Sequence, residues 1–404
     1  MSTDRRGERE PRTTGRSVVV LSDDVRGDRD AIAAALRSLP GVTSVVGAAD
    51  YRAGGLDLDA PGRRRAIAFD TLGIAVVALD PVVLSASVGS AGAQRPPIVA
   101  VEPERVMYAI EAEPLPGVVP FADDEAFTWG LRATGADVAD ATGRGIRVAV
   151  LDTGMDLEHA DFAGRAIASE SFVAGAAARD GHGHGTHCIG TACGPAEPPS
   201  GRRYGVASEA EIFAGKVLSD AGSGSDASIL AGVDWAITNG CGVISMSLGA
   251  NVADVSTAYE AVGRRALEAG CLIVAAAGNN ARRSAGDRGF VGRPANSPSI
   301  MAVAAVDADL RIAEFSAAAN PVPGGQVDIA GPGVAVYSSW PMPRGNHTLS
   351  GTSMATPHVA GMAALWRQQT GATGQELWDV LVRAARELQL PADDAGAGLV
   401  QAPG

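Results

Sequence analysis

From residue 145 onward, short apolar runs alternate with longer stretches of mixed polarity. The runs at 146–151, 211–218, 243–248, 272–277, 300–306 and 327–330 are mostly apolar and short, as strands buried on both faces require. Between them, helices are expected at 184–193, 226–238, 257–269 and 352–369, with another at 373–388 near the end of the chain. This alternation predicts an α/β fold, a doubly wound and mainly parallel sheet with helices on both faces, spanning 125–404. Ligand sites in such sheets lie just past the C-terminal ends of strands.

The first part of the chain reads differently. Residues 1–16 are charged and polar and are expected to form a disordered tail. Residues 17–110 predict a small α+β unit: strands at 18–21, 42–46, 66–79 and 98–101, a helix at 28–39 with Ile32, Leu36 and Leu39 on one face, and a second helix at 80–88 with Asp80 as its cap. That β-α-β-β-α-β order is the ferredoxin-like arrangement. Residues 111–124, rich in Pro and Glu, read as an extended linker.

Composition narrows the partners. A formal charge of −13 over 404 residues argues against nucleic acid and anionic membranes. Neither the apolar core of a secretory signal nor a run of about 20 apolar residues is visible, so the sequence as written predicts no membrane span and a cytoplasmic protein. Secretion is the alternative if a signal is missing or export is leaderless. Four cysteines sit inside apolar or small-residue elements, where buried free thiols are expected.

Candidate chemistry gathers at three places. Ser353 stands at the start of a helix within Gly351-Thr352-Ser353-Met354-Ala355-Thr356-Pro357-His358, where the helix dipole favours negative charge. Asp152 ends the apolar run 148–151, and His184 opens a helix of small residues. A serine hydroxyl becomes a useful nucleophile when a histidine takes its proton and a carboxylate holds that histidine. Asn279, at the exit of the 272–277 strand, supplies a fixed amide donor. A zinc site built from His182, His184, His187, Cys188 and Cys193 lacks the paired spacing such sites need. His182 reads as a surface residue, and His187 as a structural one.

The blocks Asp152-Thr153-Gly154, His184 to Thr191 and Gly351 to Gly361, in the order Asp, His, Ser, resemble those of the subtilisin-like serine proteases, the subtilases. The resemblance implies a serine endopeptidase acting on polypeptides as a monomer, with Asp152, His184 and Ser353 as the triad and Asn279 in the oxyanion hole. It further implies substrate-binding segments Gly222-Ser223-Gly224 and Ser247-Leu248-Gly249, and Gly292 at the floor of the first specificity pocket. No acid is visible at that floor, which predicts large apolar or aromatic residues before the cut. Residues 17–110 resemble the family's propeptide, an intramolecular inhibitor removed by autoprocessing in or just before 111–124, with 106–110 or 115–121 lying along the groove.

The resemblance also places Asp161 where many family members anchor calcium, but the facing loop offers Arg202 and Arg203. No metal or other cofactor is therefore expected to be required. Calcium is an alternative without the family's strong site, where pairing of Asp161 with one of those arginines is expected instead. An esterase or acyltransferase using the same triad is a rival reading. A catalytically silent binding protein is another, and it would need a substituted triad residue.

Overall fold

The computed structural model describes residues 12–39, 41–48, 65–89, 97–110, 121–320 and 324–404. Its C-terminal sheet is parallel throughout. The strands run, in spatial order, Ile329–Pro332, Met301–Val306, Leu272–Ala276, Val243–Met246, Arg147–Asp152, Glu211–Lys216 and Ile167–Ser171. Alternation along the Arg147–Asp152 strand shows how both faces are filled. Val148 and Val150 join one core with the helices His184–Cys193 and Thr352–Thr370, while Ala149 and Leu151 join another with the helices Asp226–Thr238 and Thr257–Glu268. The two helices that carry His184 and Ser353 thus share a face. The edge strand Ile167–Ser171 escapes the apolar pattern because only one side of it is paired and its residues are mostly half-buried or exposed.

The N-terminal sheet has the order Ile98–Ala109, Thr13–Leu21, Ile74–Val77, Arg65–Phe69, Ser44–Gly47. The first four are antiparallel and follow the ferredoxin-like order, and Ser44–Gly47 adds a parallel edge. Three features differ from expectation. The run 66–79 is a hairpin rather than one strand, because Asp70 to Gly73 turns the chain, with the Gly73 amide bonded to the Asp70 carbonyl and Gly73 at φ 57°. The first strand begins at Thr13, inside the stretch expected to be a disordered tail, because Thr13 pairs with Arg105. The last strand continues well past residue 101, through Glu102 and Glu104. The expected linker 111–124 falls outside the described residues as far as 120.

Side-chain alternation gives this sheet two uses. Val19, Leu21, Ala66, Ala68, Ala75 and Val77 face its own helices, Arg29–Arg37 and Pro81–Gly89. Val18, Val20, Ile67, Phe69, Ile74 and Val76 join the core that contains the helices Asp226–Thr238 and Thr257–Glu268. The N-terminal unit therefore docks through an apolar face of its sheet.

Where the Ser353 helix meets the His184 helix the packing depends on small residues. A Cβ on Gly361 would lie 2.6 Å from the Val206 Cβ and 2.9 Å from the Ala192 carbonyl oxygen. Gly361→Ala is expected to cost about 1–3 kcal/mol by overpacking, visible as a lower denaturation midpoint in a Ser353→Ala background that prevents self-digestion. An unchanged midpoint would show that this contact has slack.

Candidate active site

Asp152 ends its strand fully buried, and Gly154, at φ 109°, turns the chain immediately after it. The Asp152 Oδ1 accepts hydrogen bonds from the Thr153 amide at 2.7 Å and from His184 Nδ1 at 2.7 Å. A carboxylate can only accept, so Nδ1 carries the proton and Nε2 is left as the basic nitrogen. Burial alone would depress the imidazole's pKa. The charge of Asp152 and its hydrogen bond outweigh that and hold His184 well above its ordinary 6.5. The His184 Nε2 is buried and has no hydrogen-bond partner.

Ser353 lies in the first turn of its helix, and its Oγ donates to the Ser247 carbonyl at 3.0 Å. Pairing with His184 Nε2 therefore requires the hydroxyl to turn away from Ser247. Ser247 also donates from its own Oγ to the Ser353 carbonyl at 2.7 Å, so this residue braces the serine. Beside it, Asn279 Oδ1 accepts from the Thr352 amide at 3.0 Å and from the Thr352 hydroxyl at 2.9 Å. Those bonds fix the side chain with its Nδ2 buried and unpartnered.

The cleft holds the chain's own strand. Val106, Met107 and Tyr108 pair with Ser225, Gly224 and Ser223 on one side, while Tyr108 and Ala109 pair with Gly249 and Leu248 on the other. The Ala109 amide also donates to the Gly222 carbonyl at 3.0 Å. The two segments expected to grip a substrate are thus brought together around residues 106–109. Ile110 comes next along the chain. A point built as a Cβ on Gly351 lies 3.0 Å from the Ile110 carbonyl oxygen and 3.0 Å from Asn279 Nδ2. The Ile110 Cδ1 rests against Gly249, 3.1 Å from where a Cβ would stand. Gly292 abuts the Ala250 carbonyl, which a Cβ would approach to 2.6 Å.

Carboxylates that no sequence motif marks anchor this strand. Glu104, fully buried, accepts from the Ala227 amide at 3.0 Å, and Asp226 accepts from the Arg105 amide at 2.7 Å and from the Tyr259 hydroxyl at 2.8 Å. Glu102 accepts from the Ser256 hydroxyl at 2.7 Å and the Thr257 amide at 2.5 Å. Glu102 and Glu104 therefore sit at the N-termini of the helices Thr257–Glu268 and Asp226–Thr238, where backbone amides point outward.

The remaining candidates sort cleanly. His187 bonds the Val336 carbonyl at 3.0 Å and burial depresses it to about 3, as a structural group. His182 is half-buried rather than on the surface, its ring 6.3 Å from that of His184. Asp161 does not pair with an arginine. It accepts from the Ser200 amide and hydroxyl at 3.1 and 2.7 Å and from the Tyr204 hydroxyl at 2.8 Å. Arg202 reaches Asp123 at 2.8 Å, and Arg203 reaches the Gly205 and Val206 carbonyls, because the loop folds its arginines toward residues 123–124 and back on itself. Among the described residues one trio has metal-ligand atoms within 4.8 Å of one another, Asp152, His184 and Cys188, and two of these already bond each other.

The Subtilase family, Peptidase_S8, matches residues 143–399. Subtilisin DY of Bacillus licheniformis is 39% identical over 241 residues, covering 59% of this chain and 83% of that protein. Subtilisin E of Bacillus subtilis (strain 168) is 42% identical over 225 residues, covering 55% and 56%, so just over half of that relative is spanned. Alkaline serine protease ver112 of Corniculantispora psalliotae is 37% identical over 282 residues, covering 66% and 68%.

The tautomer and basicity of His184 depend on Asp152. Asp152→Asn is expected to lower kcat about 10⁴-fold and to move the acid limb of the kcat/KM profile to lower pH, read with a peptide p-nitroanilide. In the unmodified enzyme that limb should lie above pH 6.5, since the imidazole must be neutral to take a proton and its pKa is raised.

Proposed function

Since the chain belongs to the subtilase family and is a subtilisin-like serine endopeptidase, we propose that it is made as a self-inhibited precursor which cuts its own backbone between Ile110 and Glu111. Ser353 attacks the Ile110 carbonyl carbon as His184 Nε2 takes the hydroxyl proton. Asp152 steadies the imidazolium that results, and the oxyanion is received by Asn279 Nδ2 and the Ser353 amide. His184 returns the proton to the Glu111 nitrogen, which leaves as the new N-terminus, and water then releases Ile110 from the serine. The observation that carries this reading is that the Ile110 carbonyl oxygen and the buried, unpartnered Asn279 Nδ2 each lie 3.0 Å from one and the same point, the position of a Cβ on Gly351.

After the cut, residues up to 110 remain paired in the cleft and act as the inhibitor. Other polypeptides would bind as the same added strand, through main-chain bonds to 223–225 and 248–249. The side chain of Ile110, the residue before the cut, rests against Gly249, and no acid stands in 290–294, which supports a preference for large apolar side chains. At the family's calcium position the carboxylate of Asp161 already accepts three protein donors, which supports a fold that does not depend on calcium there. Among the described residues no helix is long and apolar enough to cross a membrane, and the four cysteines are free, so folding asks for no oxidising compartment.

Intact masses test the cut. The unmodified chain is expected to shorten by about 110 residues, Ser353→Ala to stay whole, and Ile110→Asp to shorten markedly more slowly; a Ser353→Ala chain that shortens alone in purified form would contradict the reading.

Inhibitor release should depend on pH. Burial, together with the charge of Glu104, raises Asp226 to about 7, against the pull of the Arg105 amide, Tyr259 and Arg293. Asp234 is likewise raised to about 6 by burial, helped by the charge of Asp70 and opposed by Thr71. A carboxyl whose pKa is raised in the complex takes up a proton on binding, so the complex is favoured in acid and weakens as pH rises toward 7. Inhibition of the processed enzyme by the 1–110 segment is expected to weaken by more than about tenfold per pH unit near pH 5, where both carboxyls take up a proton, and by up to about tenfold between about pH 6 and 7, then level off. Asp226→Asn should flatten that slope, and an equally steep slope in Asp226→Asn would assign it elsewhere.

A further inference from the structure

Asp180 belongs to a glycine-rich loop that the sequence offers as a connection, yet it is buried to 3% exposure and both of its oxygens are fully engaged. Its Oδ1 accepts from the Thr153 hydroxyl at 2.9 Å and from the amides of His182 and Gly183 at 3.0 and 2.8 Å. Its Oδ2 accepts from the Thr186 amide at 2.8 Å and the Thr186 hydroxyl at 2.7 Å. A buried carboxylate is tolerated only with such a set of donors, and here several come from the start of a helix, where negative charge is favoured.

These donors belong to two different elements. Thr153 follows Asp152, gives its amide to the Asp152 carboxylate, and accepts the Gly185 amide on its hydroxyl at 2.8 Å. Gly183, Gly185 and Thr186 surround His184. One carboxylate therefore ties the strand end that presents Asp152 to the helix start that presents His184. The join has little slack, since a Cβ on Gly185 would fall 2.3 Å from the Gly154 carbonyl oxygen. Lys216, buried to 1%, bonds the Thr153 carbonyl and, at 2.7 Å, Asp220, closing the far side of the same turn.

We infer that Asp180 is a positioning residue for catalysis: it sets the spacing and angle between Asp152 and His184 without touching substrate. This rests on the triad reading above. Loss of the tie lets the helix start drift relative to the strand end, lengthening the 2.7 Å bond that keeps the imidazole basic and correctly turned.

The test uses the processed full enzyme, with active sites counted by a burst titrant so that misfolded protein is excluded. Asp180→Asn puts an amide donor against donors. It is expected to lower kcat per active site at least about tenfold with KM changed less than about twofold, and to move the acid limb of kcat/KM to lower pH. If Asp180→Asn yields no folded enzyme, Thr153→Val removes only the hydroxyl link and should show the same two effects, more weakly. Wild-type kcat per site and an unmoved acid limb, in whichever variant folds, would overturn the inference even if stability fell. Asp152→Asn separates the two levels: if it too leaves kcat unchanged, the triad reading fails, whereas a loss there alone defeats only the role of Asp180.

Discussion

The strand Ile98–Ala109 belongs to two structures at once, and the remaining geometry depends on that. Through residues 98–105 it pairs with Thr13–Leu21 and is part of the N-terminal sheet; through residues 106–109 it completes the cleft between 223–225 and 248–249. The sheet's apolar face holds it against the helices Asp226–Thr238 and Thr257–Glu268, so its end is delivered to the cleft in one register. Because a strand's side chains alternate, a slip of one residue would exchange Met107, buried, for its half-buried neighbours. On the proposed function, inhibition and substrate presentation would be the same contact.

That contact is held by acids as well as by the main chain. Glu102 and Glu104 meet helix N-termini, and Asp226 meets the Arg105 amide, so each negative group is answered by backbone donors. The active centre uses the same device, with the Thr153 amide on Asp152 and the Gly183 and Thr186 amides on Asp180. Oriented amides suit this purpose because they cannot titrate, and at Glu104 and Glu102 they are joined by the guanidinium groups of Arg16 and Arg293.

Much of the parallel sheet was legible because strands buried on both faces leave uninterrupted apolar runs, as at 272–276. The placement of Asp152, His184 and Asn279 at strand or helix ends was legible for the same reason. The hairpin inside 66–79 was not, since the turn Asp70 to Gly73 carries the buried Leu72 and so hides in the apolar run. The strand past 101 was hidden because Glu102, Pro103 and Glu104 read as a polar break, and the groups that stabilise those acids, two helix ends with Arg16 and Arg293, are distant in sequence. Asp180 sits among glycines, which marks a loop in sequence but gives no sign that backbone amides will converge on it. Ser247, expected in a substrate-binding segment, also braces Ser353, which no local pattern could indicate.

The N-terminal sequence of the processed enzyme tests most directly whether this strand presents a single bond to Ser353. The account predicts that the mature chain begins at Glu111. A mature chain beginning within 115–121 instead, with the bond between Ile110 and Glu111 left intact in the released segment, would contradict it.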